Sequence, residues 1–263
     1  EKYLFNPNDF QVMKNLKKDA YDVINLVTNK KSQQKYISET IPLQLDPKNQ
    51  SIISKKITKL IEISNPSINK YLLFSSIDFD GKKNLTIIMS CDHIRTLIQL
   101  LHDSSYDNTQ KQKVLAGIAH GMNFLHEQDI IHGDLKLQNI LIKKDHQPLV
   151  NNYGLSKFYN NQDLMQKISL DVTSASYIAP EVMIQQKLTQ KSDVYAFGIL
   201  MYEILQEMQA YSNIPNFSML KPSSLIEKVQ NGLRPSFIKP IKKGLKNIIE
   251  DCWSQDPNKR PTF

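Results

Sequence analysis

Over the first ninety residues the apolar positions cluster at strand spacing, and beyond that point they switch to helical spacing. Tyr21 to Thr28, Lys35 to Ile41, Lys70 to Ile77 and Leu85 to Met89 are rich in β-branched and aromatic residues and are bounded by polar turns such as Asn29-Lys30-Lys31 and Asp80-Gly81, a pattern that predicts strands. Between them Ile53, Ile57, Leu60, Ile61 and Ile63 recur at helical spacing and stop before Asn65-Pro66, predicting one helix. Further on, Val114, Leu115, Ile118, Met122 and Leu125 form one apolar stripe. The run from Val194 to Leu205 is almost wholly apolar, as in a helix buried on most sides, and Glu203 is the one charge that interrupts it. The pattern is that of an α+β chain, a small β-rich lobe with one helix followed by a larger α-helical lobe.

Composition adds exclusions. With 40% hydrophobic and 22% charged residues in 263, the chain has the make-up of a folded protein, not a disordered one. The apolar run near Val194 is far shorter than the roughly 20 residues a membrane span needs. Cys91 and Cys252 are too few for a disulfide framework and read as reduced thiols in a cytoplasmic protein. The opening Glu-Lys-Tyr holds no readable secretory leader, and its start without methionine suggests a fragment of something longer. The net charge of +7 is spread over pairs such as Lys30-Lys31, Lys82-Lys83 and Lys143-Lys144, the pattern of a solvated surface and not of a nucleic-acid-binding stripe. Glycine is scarce, 8 in all and none before Gly81, so any phosphate-binding loop in the first eighty residues must work without it.

One segment carries specific chemistry. Ile130-Ile131-His132-Gly133-Asp134-Leu135-Lys136-Leu137-Gln138-Asn139-Ile140-Leu141-Ile142 closely resembles the catalytic loop of protein kinases, H-R-D-L-K-x-x-N, with Gly133 in place of the arginine. Asn152-Tyr153-Gly154 follows where D-F-G belongs, then Ala179-Pro180-Glu181 as A-P-E and Ser192-Asp193-Val194-Tyr195-Ala196-Phe197-Gly198. Cys252-Trp253 through Arg260-Pro261 is similar to the C-W-x-x-x-P-x-x-R-P signature of tyrosine-kinase-like and tyrosine kinases. The resemblance covers the whole chain and implies a bilobal kinase-like domain over 1–263, with an N-lobe at about 1–89, a hinge at about 90–92 and a C-lobe at about 93–263. Stopping before the family's usual last helix also implies a piece of a longer protein.

The same resemblance assigns roles. Asp134 matches the catalytic base, with Lys136 and Asn139 beside it; Lys136 and Ser174 to Tyr177 look like the serine/threonine side of the family. Glu181 and Arg260 match a buried ion pair, and Asp193 matches the residue that holds the catalytic-loop backbone. Leu60, Tyr71, Tyr153 and His132 match the stack of side chains that joins the family's lobes. Ile24, Ile37, Glu39, Met89, Cys91 and Leu141 mark the ATP-pocket positions, and Asn139 and Asn152 the metal positions.

Several of these positions depart from the family's chemistry. Phosphoryl transfer needs the phosphates held, their charge neutralised by metal and lysine, and the acceptor aligned. Lys17, Asp19 and Asp22 stand at the three glycines of the phosphate loop, Glu39 at the phosphate-binding lysine, Ile37 at the small alanine against adenine and Lys56 at the helix glutamate, so that a reversed Glu39–Lys56 bridge is expected. Asn152 replaces the metal-binding aspartate, and Leu149 to Leu155 supply no other acid, which predicts weak or no magnesium and weak or no ATP. Gly133 removes the guanidinium that receives a phosphorylated loop, although Thr173, Ser174 and Ser176 remain modifiable. The expectation is a pseudokinase acting as a scaffold or allosteric module for protein partners in signalling. The alternative is an atypical active serine/threonine kinase that recruits Lys17, Lys18 or Lys56, and an intermediate reading keeps ATP without transfer.

Overall fold

β-branched and aromatic residues make the first sheet. The computed structural model describes residues 2–42, 47–91, 95–101 and 106–263, with 47–49 described by backbone alone. Two compact units divide the chain, Glu1–His93 and Ile94–Phe263. The expected hinge at about 90–92 runs at residue 92 into positions outside the described residues.

The first unit holds β1 (Phe10–Lys18), β2 (Val23–Asn29), β3 (Lys35–Ile41), helix α1 (Pro47–Glu62), β4 (Tyr71–Ser75) and β5 (Leu85–Ser90). The strands form one antiparallel sheet in the order β1-β2-β3-β5-β4. Phe10, Val27 and Ile88 pack as a cluster capped by Phe5, Tyr36, Leu73 and Phe79. Helix α1 buries Ile57, Leu60 and Ile61 at one-turn spacing and packs on β4. Strand β1 was not predicted by the apolar pattern, because every residue in it after Phe10 is exposed. Its register with β2 also shifts twice, between Val12 and Lys14 and between Asn15 and Lys17, as bulges do at a sheet edge.

The second unit runs through β6 (Arg95–Thr96), α2 (Leu97–Leu101), α3 (Asn108–Glu127), β7 (Ile140–Ile142), β8 (Pro148–Val150), α4 (Asn161–Ile168), α5 (Val172–Ala175), α6 (Pro180–Gln185), α7 (Gln190–Gln206), α8 (Pro222–Gln230) and α9 (Lys243–Cys252). Strands β6, β7 and β8 make a small antiparallel sheet. The open end of its β7–β8 hairpin, where Ile140 pairs with Val150, brings the catalytic-loop segment and Asn151-Asn152 together. Helix α7 is the core: 14 of its 17 residues are buried, as its continuous apolar run requires. A capping box between Thr189 and Ser192 starts it, and another between Asp107 and Gln110 starts α3. Where α7 meets α9, Gly198 allows a close approach, since a Cβ there would lie 2.8 Å from Cys252 Cβ. The result is the α+β class expected, a β-sheet unit with one helix and a mainly helical unit. No helix of the described residues is long and apolar enough to cross a membrane.

Candidate functional site

The catalytic-loop backbone is held from below by one carboxylate. Asp193, in the first turn of α7, accepts from the backbone N–H of His132 at 2.8 Å and of Gly133 at 2.9 Å, and lies 2.9 Å from His126 Nε2. These donors replace the water that its burial removes. At Gly133 the backbone has φ +79°, and a Cβ would meet Ser156 Oγ at 2.6 Å and Leu188 Cδ1 at 2.7 Å, so glycine suits both the turn and the space.

Asp134 follows in a dense polar setting. Lys136 Nζ stands 2.9 Å from its Oδ1, and Asn139 Nδ2 donates to its Oδ2 at 3.0 Å and to its backbone carbonyl at 2.7 Å. The Asp134 N–H donates to Nδ1 of buried His132 at 3.2 Å, which requires that nitrogen to be unprotonated. Burial pushes the His132 pKa down and keeps the ring neutral. For Asp134 burial acts upward, but the cations of Lys136 and of Lys167 on α4 outweigh it and hold the carboxyl below its ordinary value. Lys167 is itself fixed by the Tyr159 hydroxyl at 2.8 Å. A small pocket of about 30 Å³ beside Asp134 is lined in part by Gly133, Ile168, Ser174 and Tyr177.

At the metal positions the side chains satisfy one another. Asn152 adopts φ +60°, a left-handed conformation that asparagine tolerates. Its Oδ1 accepts from Asn151 Nδ2 at 2.7 Å, and its Nδ2 donates to Asn139 Oδ1 at 3.4 Å. Asn151 N–H also donates to the Asn139 carbonyl at 2.9 Å. Magnesium favours carboxylates with octahedral geometry and sheds its waters reluctantly. A set of neutral amides whose oxygens already accept hydrogen bonds does not fit it. Among the described residues there is no group of three His, Cys, Asp or Glu that could hold a metal ion.

In the first unit the pocket positions share a sheet face. Lys17, Ile24, Glu39 and Ile87 lie in one cross-strand row, and Leu26, Ile37 and Met89 in the next. Glu39, Ile37 and Met89 are buried, Ile24 and Cys91 are half-buried, and Leu141 is buried in the second unit on β7. Glu39 thus places a carboxylate, fully withdrawn from solvent, where the resemblance expects a lysine. The expected Glu39–Lys56 bridge is not formed: among the described residues no ion pair joins them, and Lys56 is exposed. Helix α1 turns Ile57, Leu60 and Ile61 inward and leaves Lys56, about 40° around the axis from Leu60, at the exposed edge of that stripe. At the loop positions Lys17 Nζ pairs with Asp19 at 2.8 Å and with Asp22 at 3.4 Å.

A family model described as protein tyrosine and serine/threonine kinase matches residues 11–263. The chain belongs to that family. Within this kinase-family domain, Arg260 and Glu181 make a two-pronged pair at 2.7 and 2.8 Å with the guanidinium fully buried. Among Dictyostelium discoideum proteins, the domain is 28% identical to "Probable serine/threonine-protein kinase drkC", over 80% of the chain and 28% of that protein. It is 34% identical to "Dual specificity protein kinase shkE", over 64% of the chain and 24% of that protein. With "RGS domain-containing serine/threonine-protein kinase A" it shares 33%, over 65% of the chain and 14% of that protein. The chain thus spans under a third of these curated relatives.

Two features of the kinase-family domain escaped the sequence reading. One is the pair of Tyr177 and Glu203, whose hydroxyl and carboxylate bond inside the core; the lone acid in the apolar run was its only signal. The other is Lys167, which acts on Asp134 from a helix with no sequence mark of that role.

Proposed function

We propose that this kinase-family domain works as a pseudokinase, a folded scaffold or allosteric module that engages protein partners in signalling and does not transfer phosphate efficiently. The reading is supported above all by the cluster of Asn139, Asn151 and Asn152, three amides bonded to one another where the family's chemistry calls for a metal-binding acid. Glu39 adds to it, because a buried acid there cannot supply the cation that the family's lysine offers to the phosphates. In this reading ATP binds weakly or not at all and magnesium has no firm site. A cytoplasmic setting accords with Cys91 and Cys252 as reduced thiols.

The second reading, an atypical active serine/threonine kinase, is favoured by the intact grouping of Asp134, Lys136 and Asn139 and by the kinase names of the relatives. It needs a substitute cation for the phosphates, and Lys17 is already paired with Asp19 and Asp22. Labelled ATP with magnesium or manganese and general protein substrates separates the two readings. The pseudokinase reading expects incorporation no higher than in Asp134→Asn; robust transfer abolished by that change establishes the kinase.

A further inference from the structure

Positive charge gathers in one stretch of the second unit. From Met208 to Ile249 there are seven lysines and arginines and one acid, Glu227, a net +6 beside the whole chain's +7. The charge is densest at Lys239, Lys242, Lys243 and Lys246, between the end of α8 and the first turn of α9. Folding does not ask for these cations. Lys242 precedes α9 without a side-chain capping bond, and Lys243 and Lys246 stand at the end of the helix where the dipole is itself positive. Lys239 pairs with Glu207, and Lys246 Nζ lies 3.6 Å from Glu250. Lys242 and Lys243 are exposed, and among the described residues neither has an ion pair.

The same stretch leaves apolar side chains in water. Residues 236–239 are fastened to α7: the Tyr202 hydroxyl donates to the Ser236 carbonyl at 2.7 Å, and Gln206 Oε1 accepts from the N–H groups of Ile238 and Lys239, each at 2.8 Å. Phe237 thereby packs on Tyr202 and Trp253, with ring centroids 5.6 and 5.7 Å away, and Ile238 is left 61% exposed. Lys246 Nζ lies 5.3 Å from the centre of the Phe237 ring, so the connection and the start of α9 share one surface. Further along α9, Ile249 and Cys252 are buried while Ile248 is 47% exposed. We infer that this surface of lysines and isoleucines docks the domain on an anionic lipid bilayer, lying against it without spanning it. Lysines attract acidic headgroups and exposed isoleucines enter the headgroup boundary, the two chemistries that interfacial segments combine. Nucleic acid would call for exposed aromatics to stack on, whereas Phe237 and Trp253 pack on each other. An acidic polypeptide would meet the lysines alone. The inference holds whether or not the domain transfers phosphate.

The test is cosedimentation of the 263-residue chain with phosphatidylcholine vesicles, with and without about a third phosphatidylserine, at about 0.15 M salt. Wild type should bind the anionic vesicles and not the neutral ones. Lys242→Glu combined with Lys243→Glu should weaken binding by about tenfold or more, and Ile238→Ser should weaken it severalfold. Lys30→Glu combined with Lys31→Glu makes the same change of charge on the exposed turn between β2 and β3 and should leave binding nearly unchanged. Circular dichroism verifies that each variant is folded. No binding of wild type to anionic vesicles, affinity undiminished by the Lys242 and Lys243 changes or by Ile238→Ser, or an equal loss from the Lys30 and Lys31 changes would each overturn the inference. Binding of polyglutamate without binding of vesicles would overturn it too and assign the surface to an acidic polypeptide.

Discussion

Glu203 lies on α7 with its carboxylate between the Tyr177 hydroxyl and the Ala210 N–H, and burial raises its pKa to about 7 from an ordinary 4.5 even though both partners act downward. Between those two values the folded chain holds a proton that the unfolded chain has released. Stability from this residue is therefore full at low pH, falls as pH rises through about 4.5 to 7, and levels off above. The size is on the order of 3 kcal/mol. Urea unfolding at pH 5 and pH 8 should show this loss in wild type and its near absence in Glu203→Gln. An equal pH dependence in both proteins would place the titration elsewhere. At this scale the sequence showed which residue was unusual, an acid in an apolar run, but not its partner, since Tyr177 lies 26 positions away. The bonds from the Tyr21 and Asp22 amides to the Asp19 carboxylate were hidden for a related reason, since they depend on a backbone conformation that residue types alone do not specify.

Helix α7 organises the second unit, and it meets α9 tightly at Gly198. There a Cβ would also lie 3.3 Å from the Trp253 backbone nitrogen, which cannot swing aside as a side-chain end can. Gly198→Ala should therefore cost about 1–3 kcal/mol by overpacking and lower the melting midpoint by several degrees in calorimetry. An unchanged midpoint would mean that the α7–α9 contact has slack. Elements with strong periodicity, α7, α3 and β3, were legible in the residue pattern. Strand β1 was not, because after Phe10 neither of its faces is buried, and α4 and α5 are too short for a stripe to declare itself. The Glu39–Lys56 expectation failed at the same scale. Alignment placed the residues, but helix register decides which way a side chain points, and the apolar stripe of α1 took precedence over the ion pair.

Across the whole molecule, the groups that hold the fold are fully engaged, Asp193 under the loop and Arg260 on Glu181, and the proposed pseudokinase reading rests on Glu39 and the asparagine cluster, which differ from the family's phosphate-handling groups. A net charge of +7 draws polyanions nonspecifically, so binding should be read at about 0.15 M salt, where screening acts over roughly 8 Å. The most direct measurement is thermal unfolding of the chain with and without millimolar ATP, in excess magnesium and again in chelator. A ligand at 100 times its dissociation constant adds about 2.7 kcal/mol, a shift of roughly 5 °C or more for a chain of this size. The proposed loss of phosphate handling predicts no shift in any condition; a shift of that size with ATP and magnesium that vanishes in chelator would contradict it.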